Sequence, residues 1–401
     1  MTNQPTDDPA TSAPATTGQA TTAITAGRQH NGAALSTPLY SSTIYRPESV
    51  KEARKLAQQP KPPEFYGRHG NPSVAAFESA VAELEGADAA RAFSSGMGAV
   101  TGVILALCSA GSHIVASRQL YGGTRAFLEN ACPRFGIEVT FVDGTEPGAL
   151  TRAVIPGKTT LVVAETPANP RLDLVDLDEL GAIAGPFTLV DSTVATPLGQ
   201  QPLAHGVDLV LHSATKGIGG HNDALLGVVA GEHDLIDWIS GFGNLHGACA
   251  SPAEAVNGLR GLRTLSVRLR QQAETAQALA EALEAHDAVS AVCYPGLASH
   301  RQFDLAKRQL QSFGGLVTFD LADGFAAGTS FIEGLQLAVH AVSFGGPETL
   351  ACHPASTTHA ILDEDQLADA QIGMGTIRLS CGLESTDDVI ADIIGAIDRI
   401  G

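Results

Sequence analysis

The chain has 401 residues, of which 44% are hydrophobic, so it is long enough to bury one large core or two domains. Its formal net charge is −19 and only 5% of its residues are aromatic, which argues against binding to nucleic acids or to anionic membrane surfaces. It contains no apolar run long enough to span a bilayer and no signal-peptide pattern at the N-terminus.

The six cysteines lie far apart and form no C-x-x-C pair. This spacing argues against a structural zinc site and against a disulfide framework, so we predict no bound metal. A reducing, cytoplasmic compartment fits this usage of cysteine best.

The first 70 residues show no pattern of a globular core. Residues 1–20 are rich in Thr, Ala, Pro, Gln and Gly, and a segment with so few large apolar side chains is predicted to be a disordered tail. Residues 21–70 are predicted to form an arm that contacts a partner subunit, because residues 35–45 are semi-apolar and extended without a helical period. Within the arm, residues 47–59 are charged and helix-prone.

Residues 71–265 are predicted to form a large α/β domain. Ser73 can cap a helix over residues 74–84, and a second helix opens at the sequence SGMG of residues 95–98. Strand-like apolar runs follow at residues 113–116, 139–142, 160–165, 188–191, 207–212 and 226–230. Helix-like intervals separate several of them, at residues 123–135, 148–153 and 175–184. This alternation predicts a mostly parallel sheet with helices on both faces.

Residues 266–401 are predicted to form a smaller C-terminal α+β domain. It opens with a long helix over residues 267–286, which is rich in Ala, Leu, Glu and Gln and contains no glycine. Residues 316–321 and 337–343 are predicted strands, and residues 386–400 have the pattern of an amphipathic terminal helix.

Polar residues stand where several predicted strands end, which is where open parallel sheets bind ligands. Glu165, Asp191 and the sequence SATK of residues 213–216 occupy three of these ends. Lys216 is unusual because a lysine at the mouth of a buried strand loses hydration. A lysine of lowered pKa forms Schiff bases with carbonyl cofactors. The alternative is a side chain that extends from the strand end to water.

The helix that opens at Ser95 and Gly96 offers free N–H groups and a dipole that favour a phosphate group. A lysine, a carboxylate and a phosphate cradle at one crevice are what pyridoxal 5′-phosphate (PLP) requires. The lysine binds the aldehyde, the acid keeps the pyridine nitrogen protonated, and the cradle holds the phosphate. The order and spacing of these groups therefore point to PLP as the cofactor.

The chain resembles the PLP-dependent enzymes of cysteine and methionine metabolism. This group includes cystathionine γ-synthase, cystathionine γ-lyase, methionine γ-lyase and the homoserine sulfhydrylases. The resemblance extends from about residue 22 to the C-terminus. It rests on blocks that occur in the family's order: YGRHGNP (66–72), LEGA (84–87), SGMGA (95–99), LYGGT (120–124), ETPANP (165–170), VDST (190–193), HSATK (212–216), HPASTTH (353–359) and RLSCGLE (378–384).

The resemblance implies the PLP-dependent transferase fold of type I and a role for each matching residue. Lys216 would carry the Schiff base and shuttle protons, Tyr121 would stack on the cofactor ring and help as acid or base, and Asp191 would pair with the pyridine nitrogen. The other implied contacts are those of Gly96, Met97, Ser213 and Thr215 with the phosphate, of Tyr66 and Arg68 with the phosphate of the neighbouring subunit, and of Asn169, Ser343 and Arg378 with the substrate α-carboxylate. The minimal active unit would be a dimer, and two dimers would form a homotetramer with shared active sites.

The activity implied is γ-elimination on a four-carbon sulfur amino acid (cystathionine, homocysteine or methionine), giving 2-oxobutanoate, ammonia and a thiol. The alternative is γ-replacement on an O-acylhomoserine by a cystathionine γ-synthase or a homoserine sulfhydrylase. Three departures from the family's patterns bear on the choice. Gly123 stands where methionine γ-lyases carry a cysteine, Asn244 stands within a Gly-Asn pair where they carry Lys-Asp, and Val342 stands where cystathionine enzymes carry a glutamate. The sequence leaves the distal group of the substrate open.

Overall fold

The structure is a computed structural model that describes residues 18–358, 360, 367 and 371–400. Most of the predicted disordered tail, residues 1–20, therefore lies outside the described residues. Gln19 and Ala20 differ from that prediction because they begin the first helix, α1 (Gln19–Thr25). No helix in the described part of the chain has the length and apolar character that a membrane crossing requires.

The described residues of the large α/β region form a seven-stranded sheet of order β1-β7-β6-β5-β4-β2-β3. Its strands are β1 (Ala89–Phe93), β2 (His113–Ser117), β3 (Glu138–Val142), β4 (Thr159–Glu165), β5 (Phe187–Asp191), β6 (Leu209–His212) and β7 (Gly227–Gly231). β7 runs antiparallel to both of its neighbours, β1 and β6, and all other pairs of adjacent strands in this sheet are parallel. The predicted runs between residues 113 and 230 fall on β2 to β7 with ends that differ by one or two residues, whereas β1 was not predicted.

Helices cover both faces of this sheet, as predicted. They are α3 (Pro72–Glu85), α4 (Gly96–Leu107), α5 (Gly122–Ala126), α6 (Ala149–Ala153), α7 (Leu177–Gly181), α8 (Thr196–Gly199), α9 (His233–His246) and α10 (Pro252–Glu284). The helix α2 (Val50–Ala57) lies in the arm and has no buried residue. Val103 and Ile104 of α4 pack with Leu209 on one face, and Phe77 of α3 packs with Val210 on the other. The alternating side chains of one buried strand therefore contribute to two cores.

Two predicted helices of the large region start or continue differently in the structure. Asn71, and not Ser73, caps α3, and the Ser73 hydroxyl instead bonds the arm at Pro38 O and Tyr40 N. The predicted helix over residues 123–135 is α-helical only at its start. It continues as a π-helix (Phe127–Ala131) and a 3₁₀ turn, where Pro133 cannot donate a helical hydrogen bond.

The C-terminal region holds a second, five-stranded sheet among its described residues, in the order β10-β11-β12-β9-β8. Its elements are β8 (Val289–Cys293), α11 (Phe303–Gln309), β9 (Leu316–Leu321), α12 (Gly324–Gly334), β10 (Val339–His340), β11 (Leu350–Cys352), β12 (Thr376–Ser380) and α13 (Thr386–Asp398). The predicted strand over residues 337–343 is confined to β10. Beyond β10 the chain bends, and Ser343 adopts a φ of 86°.

The helix predicted over residues 267–286 begins at Pro252 and is 33 residues long. Its glycines, Gly258 and Gly261, weaken the helical signal in the sequence but are required by close packing. A Cβ on Gly261 would lie 2.2 Å from Gly219 O and 2.3 Å from Ile218 O. Arg268 of the same helix donates to Gly217 O at 2.8 Å. The helix therefore supports the turn that follows Lys216, and it also runs through the predicted domain boundary at residue 265.

We expect Gly261→Ala to destabilise the protein by about 1–3 kcal/mol, because the added methyl group would displace the backbone of the turn at residues 218–219. Gly241→Ala in α9 is the matched control, since beyond its own helical turn no atom of the described residues lies within 4 Å of its Cβ position. That change should stabilise the protein by about 0.5–1 kcal/mol. Thermal denaturation compares the two. An unchanged melting temperature for Gly261→Ala would contradict the close packing.

Candidate active site

A cavity of about 300 Å³ lies at the carboxyl ends of β4, β5 and β6 and at the N-terminus of α4. A loop of the C-terminal region, residues 342–344, forms another part of its wall. The cavity is lined by Ser95, Gly96, Met97, Val100, Tyr121, Thr124, Glu165, Asn169, Asp191, Thr193, Ser213, Thr215, Lys216, Leu225, Val342, Ser343, Phe344, Thr358 and Arg378. Residues from both sheets therefore build this site.

Lys216 projects into the cavity from the turn that follows β6. Its Nζ donates to Ser343 Oγ at 2.7 Å and lies 5.3 Å from the centre of the Phe344 ring. Burial, and then the positive charge of Arg378, lower the pKa of Lys216 from 10.5 to about 8. At neutral pH the fraction of Lys216 in the neutral, nucleophilic form is therefore about 300 times that of an ordinary lysine.

Asp191 and Glu165 end adjacent parallel strands and are directly paired in the register of β4 and β5. Thr193 donates its backbone N–H and its hydroxyl to Asp191 Oδ1. Burial raises the pKa of Asp191, whereas the Thr193 hydrogen bonds and nearby His212 act in the opposite direction. Burial, and then the Asp191 carboxyl, raise the pKa of Glu165 to about 8. The two carboxyls therefore oppose each other's ionisation.

Arg378 on β12 is 3% exposed, and its guanidinium carbon lies 5.5 Å from the centre of the Phe344 ring that Lys216 also contacts. Its Nη1 donates to Asn169 Oδ1 at 2.9 Å and its Nη2 to Ser343 O at 2.6 Å, while Nε has no partner among the described residues. Burial lowers its pKa. A buried guanidinium that bonds only neutral groups is suited to bind an anion such as a carboxylate.

The N-terminus of α4 provides a second place for an anion. Ser95 caps the helix by accepting from Gly98 N at 3.0 Å, and the N–H groups of Gly96 and Met97 have no partner among the described residues. Gly96 faces Ser213 so closely that a Cβ would lie 2.8 Å from its Oγ. The Thr215 hydroxyl also lines the cavity, but it already donates to Leu226 O and accepts from Leu226 N. A phosphate there would depend mainly on the other three residues.

Tyr121 precedes α5 and presents its ring at the cavity wall. The ring packs directly over Gly123, where a Cβ would lie 2.5 Å from Tyr121 Cε1 and 3.2 Å from Met97 Sδ. A side chain at position 123 would therefore move the ring. A cysteine at position 123, as the family resemblance gives for methionine γ-lyases, would likewise collide with the Tyr121 ring in its present position.

Ten of the predicted site residues line this cavity, but Tyr66 and Arg68 do not. They lie on the arm, where the Arg68 guanidinium is 5.2 Å from the centre of the Tyr66 ring and Tyr66 is 42% exposed. Sequence reasoning assigned no role to Thr193 and Phe344, which contact Asp191 and Lys216. Their only sequence signal is their position beside predicted site residues.

A family model described as "Cys/Met metabolism PLP-dependent enzyme" matches residues 20–398. The chain belongs to this family. An L-methionine gamma-lyase of Treponema denticola is 40% identical over 374 residues, which cover 92% of this chain and 93% of that protein. One of Brevibacterium sandarakinum is 48% identical over 335 residues, covering 83% of each. The crystal structure of cystathionine gamma synthase from Xanthomonas oryzae pv. oryzae in complex with aminoacrylate and cysteine has a TM-score of 0.90 and 36% identity, and the match covers 96% of this chain and 99% of that one.

Membership in this family makes the protein a PLP-dependent enzyme of cysteine and methionine metabolism and confirms the predicted fold class. The groups in the cavity fit the cofactor chemically. They comprise an amine of lowered pKa, a buried carboxyl, an aromatic ring at the wall, and N–H groups at a helix N-terminus that no described residue accepts from. Each part of the cofactor therefore has a chemically matching group in this chain.

We expect Lys216→Met to stabilise the cofactor-free protein at pH 7. The folded pKa of Lys216 is about 8 and its usual value is 10.5, so below pH 8 the folded state keeps a partly buried charge that the unfolded state hydrates better. The gain should be on the order of 1–2 kcal/mol below pH 8, allowing for partial exposure, and should shrink towards zero as pH rises from 8 to 10.5.

Thermal denaturation of both cofactor-free proteins at pH 7 and near pH 10.5 measures this gain. Lys51→Met, at an exposed position of α2, is the control and should change the stability by less than about 0.5 kcal/mol at either pH. A stability gain for Lys216→Met that is the same at both pH values would show that the buried charge is not its cause.

Proposed function

We propose that the protein catalyses γ-elimination on a four-carbon sulfur amino acid whose distal group is small and uncharged, such as methionine or homocysteine. The products would be 2-oxobutanoate, ammonia and a thiol. The observation that carries this proposal is the composition of the cavity lining. Among the described residues, the charged side chains that line it are Lys216, Arg378, Asp191 and Glu165, and Leu225 and Val342 are among its apolar ones.

Each group in the cavity has a proposed part in holding the cofactor. Lys216 would bind PLP covalently and Asp191 would hold its ring nitrogen. Gly96, Met97 and Ser213 would bind the phosphate, with Thr215 beside them, and Tyr121 would stack on the ring. When bound, the cofactor supplies an electron sink that acidifies the Cα and Cβ protons of the substrate.

The remaining groups would bind the substrate and move its protons. The Arg378 guanidinium, oriented by Asn169 and Ser343, would bind the α-carboxylate in a bidentate manner. The neutral amine of Lys216 would take the protons from Cα and Cβ, which its lowered pKa favours at neutral pH. The Tyr121 hydroxyl would protonate the sulfur that leaves from Cγ.

The apolar lining residues Leu225 and Val342 support a substrate without a charged distal end. All four charged lining residues have a proposed role in binding the cofactor, in binding the α-carboxylate or in orienting the loops around them. None is left to meet the distal ammonium or carboxylate of cystathionine. Val342 stands where cystathionine enzymes carry a glutamate, and it is 55% exposed at the cavity. Two relatives named L-methionine gamma-lyase, at 40% and 48% identity, support the same choice.

A second candidate function is γ-replacement on an O-acylhomoserine. It is favoured by the structural similarity to the cystathionine gamma synthase of Xanthomonas oryzae, with a TM-score of 0.90. The same residues would act up to the departure of the leaving group. The two functions would differ in whether water or a thiol attacks next.

We also propose that the enzyme is a homotetramer, a dimer of dimers with shared active sites. The arm exposes apolar side chains that a second copy would cover, with Leu35 92% exposed and Ile44 74% exposed. Tyr66 and Arg68 on this arm would reach the cavity of the neighbouring subunit. Because all six cysteines are free, we propose a reducing, cytoplasmic compartment.

The proposal is tested by supplying purified enzyme with methionine, homocysteine, cystathionine, and O-acylhomoserine with cysteine. We expect 2-oxobutanoate from methionine and homocysteine at rates well above those from cystathionine. Lys216→Ala should abolish these activities and the visible absorption band of the bound cofactor. If 2-oxobutanoate or a new thioether forms only when an acylated homoserine is present, the enzyme is a γ-replacement enzyme and the elimination proposal fails.

Gly123→Ala should lower kcat/KM by roughly tenfold to a hundredfold, because its methyl group would displace the Tyr121 ring. Gly122→Ala is the matched control in the same helix, since the nearest atom to its Cβ position is Thr358 O at 3.8 Å. The control should stay within about threefold of the unmodified enzyme. Equal losses in the two variants would indicate a general effect on α5 and not on the tyrosine.

A further inference from the structure

Glu165 is a buried carboxylate that joins two separate loops of the site. It ends β4 and is 4% exposed. Its Oε2 accepts the backbone N–H of Tyr121 at 2.5 Å, and its Oε1 accepts the backbone N–H of Asn169 at 2.9 Å. Tyr121 lies in the loop after β2, and Asn169 lies in the loop after β4. One side chain therefore holds the backbones of both loops.

Each of these loops carries a group on which the proposed function depends, and the present inference rests on that function. The Tyr121 ring forms part of the cavity wall. The Asn169 side chain accepts from Arg378 Nη1 at 2.9 Å and so orients the guanidinium. Because a shift of about 1 Å in such groups can cost a hundredfold in rate, the relative position of the loops matters.

A carboxyl group is suited to this task, and a carboxamide is not. An ionised carboxylate only accepts hydrogen bonds, so both of its oxygens can meet an N–H group, whereas a glutamine has one acceptor oxygen and one donor NH₂. Burial and Asp191 raise the pKa of Glu165 to about 8, so the environment disfavours the ionised form that both N–H groups bind best. The geometry uses both oxygens, because each accepts one backbone N–H group.

We propose that Glu165 is a positioning residue that fixes Tyr121 and the Asn169–Arg378 pair relative to each other by tying the backbones of the two loops. It acts on the cofactor ring through Tyr121 and on the substrate α-carboxylate through Asn169 and Arg378. Its removal should loosen both loops while the sheet beneath them stays intact.

The test is Glu165→Gln, which keeps the size of the side chain but leaves one N–H group facing a donor. Hydrogen exchange of the cofactor-free protein, measured by mass spectrometry, should be roughly tenfold or more faster in the peptides that contain Tyr121 or Asn169. In the loaded enzyme, KM for the amino acid should rise by more than kcat falls. The preference for the free amino acid over its α-carboxamide should shrink, because Arg378 is no longer held in place.

Asp392→Asn is the matched control. Asp392 in α13 also accepts backbone N–H groups, those of Gln336, Leu337 and Ala338, but it does not line the cavity. This variant should speed up exchange only around residues 336–338 and leave KM and the carboxamide preference unchanged. Equal changes in KM for the two variants would assign both carboxylates to general stability.

Hydrogen exchange separates this proposal from the proposed function, because it needs no substrate. If no sulfur amino acid is turned over, the proposed function fails while the exchange result still decides the role of Glu165. Unchanged exchange at both loops in Glu165→Gln would overturn the proposal. If Glu165→Gln does not fold, Glu165→Asp is tested in its place. It keeps the acidic group, but its side chain is too short to reach both N–H groups. If neither variant folds while Asp392→Asn does, Glu165 serves the whole fold and the proposal is overturned.

Discussion

The site depends on the burial of four ionisable side chains that are not paired with one another. Neither Lys216 nor Arg378 forms an ion pair with any described carboxylate, and each donates instead to neutral oxygens. Asp191 and Glu165 likewise accept from backbone N–H and hydroxyl groups. Burial without a counter-ion is costly, and it is tolerated here because hydrogen bonds partly replace hydration. Lys216, Arg378 and Asp191 consequently remain available to the cofactor and the substrate, whereas Glu165 is engaged by two backbone N–H groups.

The hydrogen bond of Lys216 depends on the position of the seven-stranded sheet relative to the five-stranded one. The amine of Lys216 follows a strand of the seven-stranded sheet, whereas its partner Ser343 belongs to a loop of the five-stranded region. Ser343 has a φ of 86°, in the left-handed region that residues other than glycine rarely adopt. The backbone of Gly345 lies against Gly217, where a Cβ would be 2.7 Å from the amide nitrogen. The C-terminal region therefore forms part of the site itself.

The sequence identifies the parts of the site that depend on local position. Strand ends are visible as apolar runs followed by polar residues, so Asp191 and Lys216 could be found, and so could the helix start at Gly96. The contacts that join distant segments could not be found in this way. The double hydrogen bond of Glu165 and the partner of Ser73 in the arm are set by tertiary packing, which leaves no periodic pattern. The family resemblance supplied Arg378 and Asn169, which no periodic pattern singles out.

Errors in the predicted elements have equally specific causes. The strand β1 contains the charged Arg91, so it lacks the apolar run of its neighbours. The first half of α10 contains glycines that packing requires and that a propensity argument penalises. The bend after β10 reflects the approach of Ser343 to Lys216, which no local pattern signals. The predicted contact of Tyr66 and Arg68 with a second subunit stays a prediction, because it concerns a surface between copies of the chain.

The helix α10 is long enough to pack in both cores, and this limits where the C-terminal region could be exchanged between related proteins. Its N-terminal half contributes Leu259 and Leu265 to the core beneath the large sheet, and its C-terminal half contributes Leu279 and Leu283 to the core of the small one. The seam between the two cores therefore crosses the interior of a continuous helix. If two relatives exchanged their C-terminal regions at residue 265, the junction would lie inside α10. The hybrid helix would then combine the first half from one protein with the second half from the other. The turn after Glu284 is the natural junction for such a chimera, because there the whole helix would stay with the sheet that carries Lys216.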